Sequence, residues 1–212
     1  MGAGDAISNA INEMVGTLKA VARQTNVIAG GDYTKDISPR SSHDELGIAL
    51  HNMTQKLLEA DEENKRQVWL QTGVSRLNDV VLGEVRIDQL ATTVIFEVAK
   101  YLNAKVGALY VTAEENGERV LILRGSYAYQ RRKNLSSRFR LGEGLVGQAA
   151  LEREQIFVDN VSEDYVRVVS GLGDMVPRHI SVIPFLYNRE VCGVIELGSL
   201  EPLHNQHLDY LR

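Results

Sequence analysis

The sequence predicts an α+β chain. A parallel homodimeric four-helix coiled coil stands at the front, a long connecting helix follows, and an antiparallel sheet with flanking helices closes the chain. Three observations carry this prediction. Apolar residues recur in alternating steps of three and four over the first third of the 212 residues. The helical pattern then runs on to Leu82 without a proline. After Gly83, β-branched runs, aromatic residues and hairpin-turn dipeptides take over.

The front helix shows Ile7, Ile11, Met14, Leu18, Val21, Thr25 and Ile28 as one seam with a polar lapse at Thr25, the pattern of a coiled-coil stripe. Gly30 and Gly31 end it, since glycine adopts left-handed backbone without penalty. A second seam runs through Leu46, Leu50, Met53 and Leu57, with Ser42 or Asp44 as its cap and Asp44 and Glu45 at the positive end of its dipole. Two narrow stripes of a few turns bury little as a single pair, so four helices from two chains are expected. The connector between the helices is longer than an antiparallel hairpin needs. It can travel back along the first helix, so that both helices run parallel, with Tyr33 and Ile37 as apolar pins against the bundle.

Gly31, Tyr33 and Ile37 resemble the glycine-x-hydrophobe-xxx-hydrophobe connector of the HAMP domain, and "DELG" (Asp44, Glu45, Leu46, Gly47) is similar to that family's helix-opening signature. The resemblance covers residues 5–58. It departs from the family at Thr17, where a proline is usual. It implies a parallel homodimeric bundle with Ile11, Met14, Leu18, Val21, Ile28, Leu46, Leu50, Met53 and Leu57 in its core. Such bundles usually lie just inside a membrane and relay conformational signals.

Residues 59–83 read as a coiled-coil signalling helix. Its seam continues as Ala60, Asn64, Gln67, Leu70, Val74, Leu77 and Val81. The two successive steps of three at Asn64, Gln67 and Leu70 make a stammer. Asn64 and Gln67 set polar groups in the seam, which weakens a coil while fixing its register. Gly73 stands inside the helix at a cost of about 1 kcal/mol.

From residue 84 to 212 the elements change. "IDQLATTVIFEVAKYLNA" reads as an amphipathic helix, "VGALYVTAE" and "RVLILRGSYAY" as strands around an "ENG" turn, and "GEGLVGQAALERE" as a glycine turn into a helix. "QIFVD" reads as a short strand, "HISVIPFLYN" and "EVCGVIELGSL" as a strand pair around Asn188-Arg189, and "EPLHNQHLDYLR" as the start of a closing helix. This arrangement predicts an antiparallel sheet with helices packed on it. The stretches "GEGLVGQAALE", "SGLG", "PRH" and "VIPFLYNREVCGVIEL" resemble a GAF domain, in wording similar to those that follow HAMP in multi-sensor bacterial histidine kinases. The resemblance implies a pocket on one face of the sheet, edged by Tyr127, Tyr129, Tyr165 and Arg167. These side chains could recognise a small aromatic or anionic ligand, and packing is an equal reading of them.

Composition excludes several functions. The chain is 44% hydrophobic and 24% charged with a net charge of −5, which suits a soluble globular protein and opposes broad nucleic-acid binding. The lone Cys192 cannot form an internal disulfide and is a poor start for a zinc site; a reducing cytoplasm is expected. It lies in an apolar strand and reads as a buried small hydrophobe. No apolar run nears the roughly 18–20 residues that span a bilayer. "GEGLVG" lacks the Walker lysine, so it reads as a turn rather than a phosphate cradle. Arg131, Arg132, Lys133, Arg138 and Arg140, with Arg124 nearby, read as a solvated loop or an acidic-ligand patch. His204 and His207 lack further ligands for a metal. The cyclic-nucleotide pattern of GAF relatives is missing, as are the several cysteines of their sulfoxide-reducing members. No kinase phosphoacceptor or ATP-binding box is present.

The expectation is a cytoplasmic signal-relay fragment with no cofactor, no metal and no catalysis of its own. The end in mid-helix at "HLDYLR" suggests a longer protein: a two-component sensor histidine kinase, its HAMP unit on the cytoplasmic side of a membrane anchor. The alternative is a small-molecule-sensing GAF domain that controls another output, such as a nucleotide cyclase.

Overall fold

Two units divide the chain, Met1–Val68 and Trp69–Arg212. The structure is a computed structural model that describes residues 3–35, 38–39, 41–82, 86–128, 137–162, 168–170 and 173–211.

In the first unit, helix α1 (Ala3–Ala29) ends in a Schellman motif. The Gly31 N–H donates to the Ile28 carbonyl at 2.9 Å and the Asp32 N–H to the Val27 carbonyl at 3.3 Å, with Gly31 at φ +86°. Those bonds satisfy carbonyls that the helix end leaves open. Asp32 then accepts from both the backbone and the hydroxyl of Thr34, which holds its carboxyl below the usual range. Helix α2 (Glu45–Val81) begins in this unit and ends in the second. Ile28 and Leu50 are buried, with Val21, Tyr33 and Leu57 packed against them. Thr25, the polar lapse in the seam, donates its hydroxyl to the Val21 carbonyl of its own helix.

The second unit is built on a six-stranded antiparallel sheet. Its strands are β1 (Val106–Glu115), β2 (Glu118–Tyr127), β3 (Arg138–Arg140), β4 (Ile156–Asp159), β7 (His179–Tyr187) and β8 (Glu190–Ser199), in the order β3-β2-β1-β8-β7-β4. A separate hairpin joins β5 (Val168–Ser170) and β6 (Gly173–Met175). Both tight hairpins of the sheet turn on left-handed pairs, Asn116-Gly117 and Asn188-Arg189, the geometry that matches strand twist. Alternation sorts the residues to two faces. Ala108, Tyr110, Leu121, Ile180, Val182 and Val194 pack with helix α4 (Gly144–Glu152). Leu109, Ile195 and Leu197 pack with helix α3 (Ile87–Tyr101) and helix α5 (Asn205–Tyr210). Gly125 lets α3 approach β2 closely, because a Cβ there would lie 2.4 Å from the Ala91 carbonyl.

Residues 69–81 of α2 belong to this second core. Trp69 stacks on Tyr101 with centroids 4.8 Å apart, and Tyr210 meets Trp69 edge-on at 5.8 Å. The Tyr101 hydroxyl donates to the Trp69 carbonyl at 2.5 Å. Gly73 explains itself here: a Cβ would lie 2.5 Å from the Tyr101 ring and 2.7 Å from that of Tyr210. Leu70 and Leu77 pack on the same core. This corrects the expected seam, in which both leucines pointed at a partner helix.

The fold differs from the sequence expectation in three further places. Strand β3 lies inside the basic stretch that reads as a loop, and the β5–β6 hairpin has no counterpart among the elements the sequence predicts. β3, β5 and β6 are each three-residue strands that carry no periodic signal. The closing helix has only six residues.

Gly73→Ala is expected to destabilise the second unit by about 1–3 kcal/mol, because overpacking the two rings outweighs the ~1 kcal/mol gain in helix propensity. Gly16→Ala, where nothing lies within 4 Å, should instead stabilise. Urea unfolding followed by the fluorescence of Trp69, the single tryptophan, checks the first, and helix ellipticity the second.

His207 gives a pH prediction. Partial burial first, and then His204, push its ring below the ordinary histidine value. Its Nδ1 accepts from the His204 N–H at 3.1 Å and its ring lies 5.4 Å from Trp69. The neutral form is therefore the folded one. Its contribution is fully present above about pH 6.5 and is lost as pH falls through the lowered folded value. His207→Gln should lose less stability than the parent between pH 7.5 and 5.5, read by urea midpoints.

Candidate functional site

The connector residues of the first unit have individual physical roles. Asp44 caps α2, its Oδ1 accepting from the Gly47 N–H at 2.9 Å. Gly47 is required by that cap: a Cβ would lie 2.4 Å from the Asp44 carboxylate. Glu45 opens the first turn of the helix, where its charge meets the positive dipole end. Gly31 turns the chain and Tyr33 packs against the Ile28 and Leu50 cluster. Ile37, expected as the second pin, lies outside the described residues. Of the expected core, Ile28 and Leu50 are buried and Val21 and Leu57 half-buried. Ile11, Met14, Leu18, Leu46 and Met53 are exposed on the single chain, Met14 by 65%.

In the second unit, Tyr127 closes β2 and packs edge-on against Phe96 at 5.5 Å. It serves the core on the α3 side of the sheet. Tyr129, Tyr165 and Arg167, the other ligand candidates, lie outside the described residues, as do Arg131, Arg132 and Lys133. The described basic side chains are engaged in ion pairs: Arg138 with Glu115 at 2.9 Å, Arg140 with Glu118 at 3.5 Å, and Arg124 with Asp88 at 3.3 Å.

"GEGLVG" forms a closed turn before α4. The Gly142 N–H donates to the Gly147 carbonyl and the Glu143 N–H to the Arg140 carbonyl, while the Glu143 carboxylate accepts from the Arg140 N–H. The Gly142, Glu143 and Arg140 donors are thus consumed within the turn. Gly147 is needed because a Cβ would collide with the Arg140 carbonyl. His204 and His207 form a capping pair at α5. Among the described residues, no group of His, Cys, Asp or Glu could hold a metal ion.

The resemblance implies a pocket on one face of the sheet, but no spacing in the sequence locates the one that the structure shows. Between the first half of α3 and the sheet lies an apolar hollow of about 310 Å³, walled by Leu90, Ala91, Val94, Val111, Phe185 and Cys192. Cys192 is half-buried there rather than buried. Ala91, Val94 and Cys192 are the small side chains of its wall, and Ile95 and Leu197 pack in the adjoining core.

A six-stranded antiparallel sheet with one helical layer on each face, and short strands in its long connections, defines an α+β domain. The GAF domain profile matches residues 84–212, and the chain belongs to the GAF family. Solved structures with similar folds include free methionine-R-sulfoxide reductase from Neisseria meningitidis in complex with its substrate, at 16% identity and TM-score 0.51, covering 69% of this chain and 83% of that one. The GAF domain of a phosphoenolpyruvate-protein phosphotransferase from Coxiella burnetii is 18% identical at TM-score 0.51, with 68% and 84% covered. The A. aeolicus nlh2 GAF domain in an inactive state is 18% identical at TM-score 0.50, with 69% and 88% covered. At these identities the likeness concerns the fold. No curated protein matches the chain. Among the described residues no helix is long and apolar enough to cross a membrane.

Asp44→Ala and Gly47→Ala should each cost about 1 kcal/mol of first-unit stability by losing the cap. Asp44→Asn, which retains an accepting oxygen, should cost much less. Thermal melts followed by helix ellipticity distinguish the three.

Proposed function

We propose that the chain is a signal-relay and sensor module: a HAMP bundle at residues 5–58, a coiled-coil connector at 59–83 and a GAF domain at 84–212, acting as a parallel homodimer. The observation that carries this reading is the exposed apolar stripe of α1, in which Ile7, Ile11, Met14 and Leu18 are all more than half exposed. A seam of that period is uncovered only until a second copy meets it.

The distribution of burial supports parallel helices. Within the first unit, among the described side chains, Thr17 is the first on α1 that is not exposed and Asp61 the last on α2, and both residues 11–16 and 62–68 are exposed. Parallel helices with Thr17 level with the start of α2 leave those two tails uncovered; an antiparallel pair would lay them against each other. The Schellman turn, the Tyr33 contact and the Asp44–Gly47 cap support the HAMP-like reading of the connector.

Relay requires two packings a few kcal/mol apart that input can bias. The module itself is no enzyme in this reading, and its output is a histidine kinase of a two-component system at the cytoplasmic side of the inner membrane. Its single cysteine leaves no second thiol for the reductase chemistry named for the Neisseria protein. A second reading, a small-molecule-sensing GAF domain driving another output such as a nucleotide cyclase, is favoured by the apolar hollow beside Cys192.

Sedimentation velocity and native mass spectrometry test the proposal. The chain is expected to be a dimer, and Met14→Glu with Leu18→Glu to weaken that dimer at least tenfold without changing the sheet signal. A monomeric parent chain would overturn the homodimeric reading. Extra mass retained on the dimer would favour the second reading.

A further inference from the structure

The contacts of Trp69, Leu70, Gly73 and Leu77 with their own domain change which residues of α2 remain for a partner. With Leu70 and Leu77 removed from the seam, a strict alternation of four and three runs along the helix. It passes through Leu46, Leu50, Met53, Leu57, Ala60, Asn64, Gln67, Gln71, Val74, Asn78 and Val81. The stammer disappears. Every residue of that series from Ala60 onward is exposed, Val74 by 43% and Val81 by 48%. A strict seven-residue repeat drifts around a lone helix and keeps one side only when helices supercoil.

The order of the steps assigns the heptad. Leu50, Leu57, Asn64, Gln71 and Asn78 take position a; Leu46, Met53, Ala60, Gln67, Val74 and Val81 take position d. Asn64, Gln71 and Asn78 thus put an amide at three successive a positions. In a two-fold parallel pair each a residue meets its own copy, and an amide there can bond to the identical amide opposite, at a cost in stability that selects strand number and register. One flanking pair agrees with the parallel sense: Lys56 at g stands five residues before Asp61 at e, the spacing at which g and e of parallel partners pair with opposite charge, and Asp61 also pairs with Lys65 of its own helix.

We propose that residues 60–81 of α2 form a parallel two-stranded coiled coil with a second copy of this chain, through Asn64, Gln71 and Asn78 at a and Gln67, Val74 and Val81 at d. This rests on the homodimeric reading above and specifies its face. The amide pairs set register and strand number at a cost in stability, while the adjacent side of the same helix segment is gripped by its own domain's aromatic cluster.

Disulfide trapping tests the register in the full chain carrying Cys192→Ser. Gln71→Cys and Asn78→Cys are expected to oxidise to covalent dimers at least tenfold faster than Asp79→Cys or Leu77→Cys, read on non-reducing gels. Equal or faster trapping at Leu77→Cys or Asp79→Cys would overturn the assigned face. Trapping of Met14→Cys on α1 without trapping at Gln71 and Asn78 would overturn this seam while leaving the dimer standing. Failure at all three positions in a chain that sediments as a monomer would remove the dimer and the seam with it. As an independent readout, Asn64→Leu, Gln71→Leu and Asn78→Leu together should tighten the dimer at least tenfold; unchanged or weaker association would count against the face.

Discussion

The grip of Tyr101 and Tyr210 on the notch at Gly73 is the contact on which the second unit depends. A helix that arrives with no side chain at one position lets two rings close on its backbone, and the carbonyl of Trp69 takes the Tyr101 hydroxyl. Aromatic surface is buried from α2, α3 and α5 at once, and such rings carry large apolar area with preferred edge and stacked geometries. The burial raises the Tyr210 hydroxyl to about 12, with smaller contributions from Tyr101 and Glu97. It also keeps His207 neutral at the rim. The end of the long helix is thereby part of the domain it leads into.

That arrangement gives the relay reading its physical content. A change in how α2 is rotated or paired would act on the same rings that close the α3 side of the sheet. The opposite face, packed with α4, is separated from that event by the sheet itself. The apolar hollow lies on the α3 side as well, so a ligand there would touch the helix layer that the long helix joins. The proposed helix pairing and the proposed small-molecule sensing would both act on one layer of the domain.

Glycine decides the close approaches in both units for different reasons. Gly47 makes room for a capping carboxylate, Gly73 for aromatic rings, Gly125 for the backbone of α3 and Gly147 for the turn before α4. Among the described glycines, only Gly31, Gly117, Gly142 and Gly144 have left-handed backbone. A glycine inside a helical pattern reads as a cost in the sequence, and its compensation becomes visible only when the partner that fills the space is known.

The sequence by itself determined what is local and periodic. The stops at Gly30 and Gly31, the Asp44 cap, the long α2, the amphipathic α3, the two paired hairpins and the antiparallel sheet follow from spacing and turn chemistry, and the GAF family was readable from its motifs. What had no local signature waited for the tertiary structure. Three-residue strands carry no period, a hollow is a gap between side chains of four separate elements, and the purpose of Gly73 lies in rings 28 and 137 positions away. The seam of α2 shows the division most clearly. Its heptads are legible in two phases, one through Leu70 and Leu77 and one through Gln71 and Asn78. Apolarity alone favours the first. Only the packing of those leucines on their own core assigns the second, because a side chain already buried within its domain cannot also face a partner.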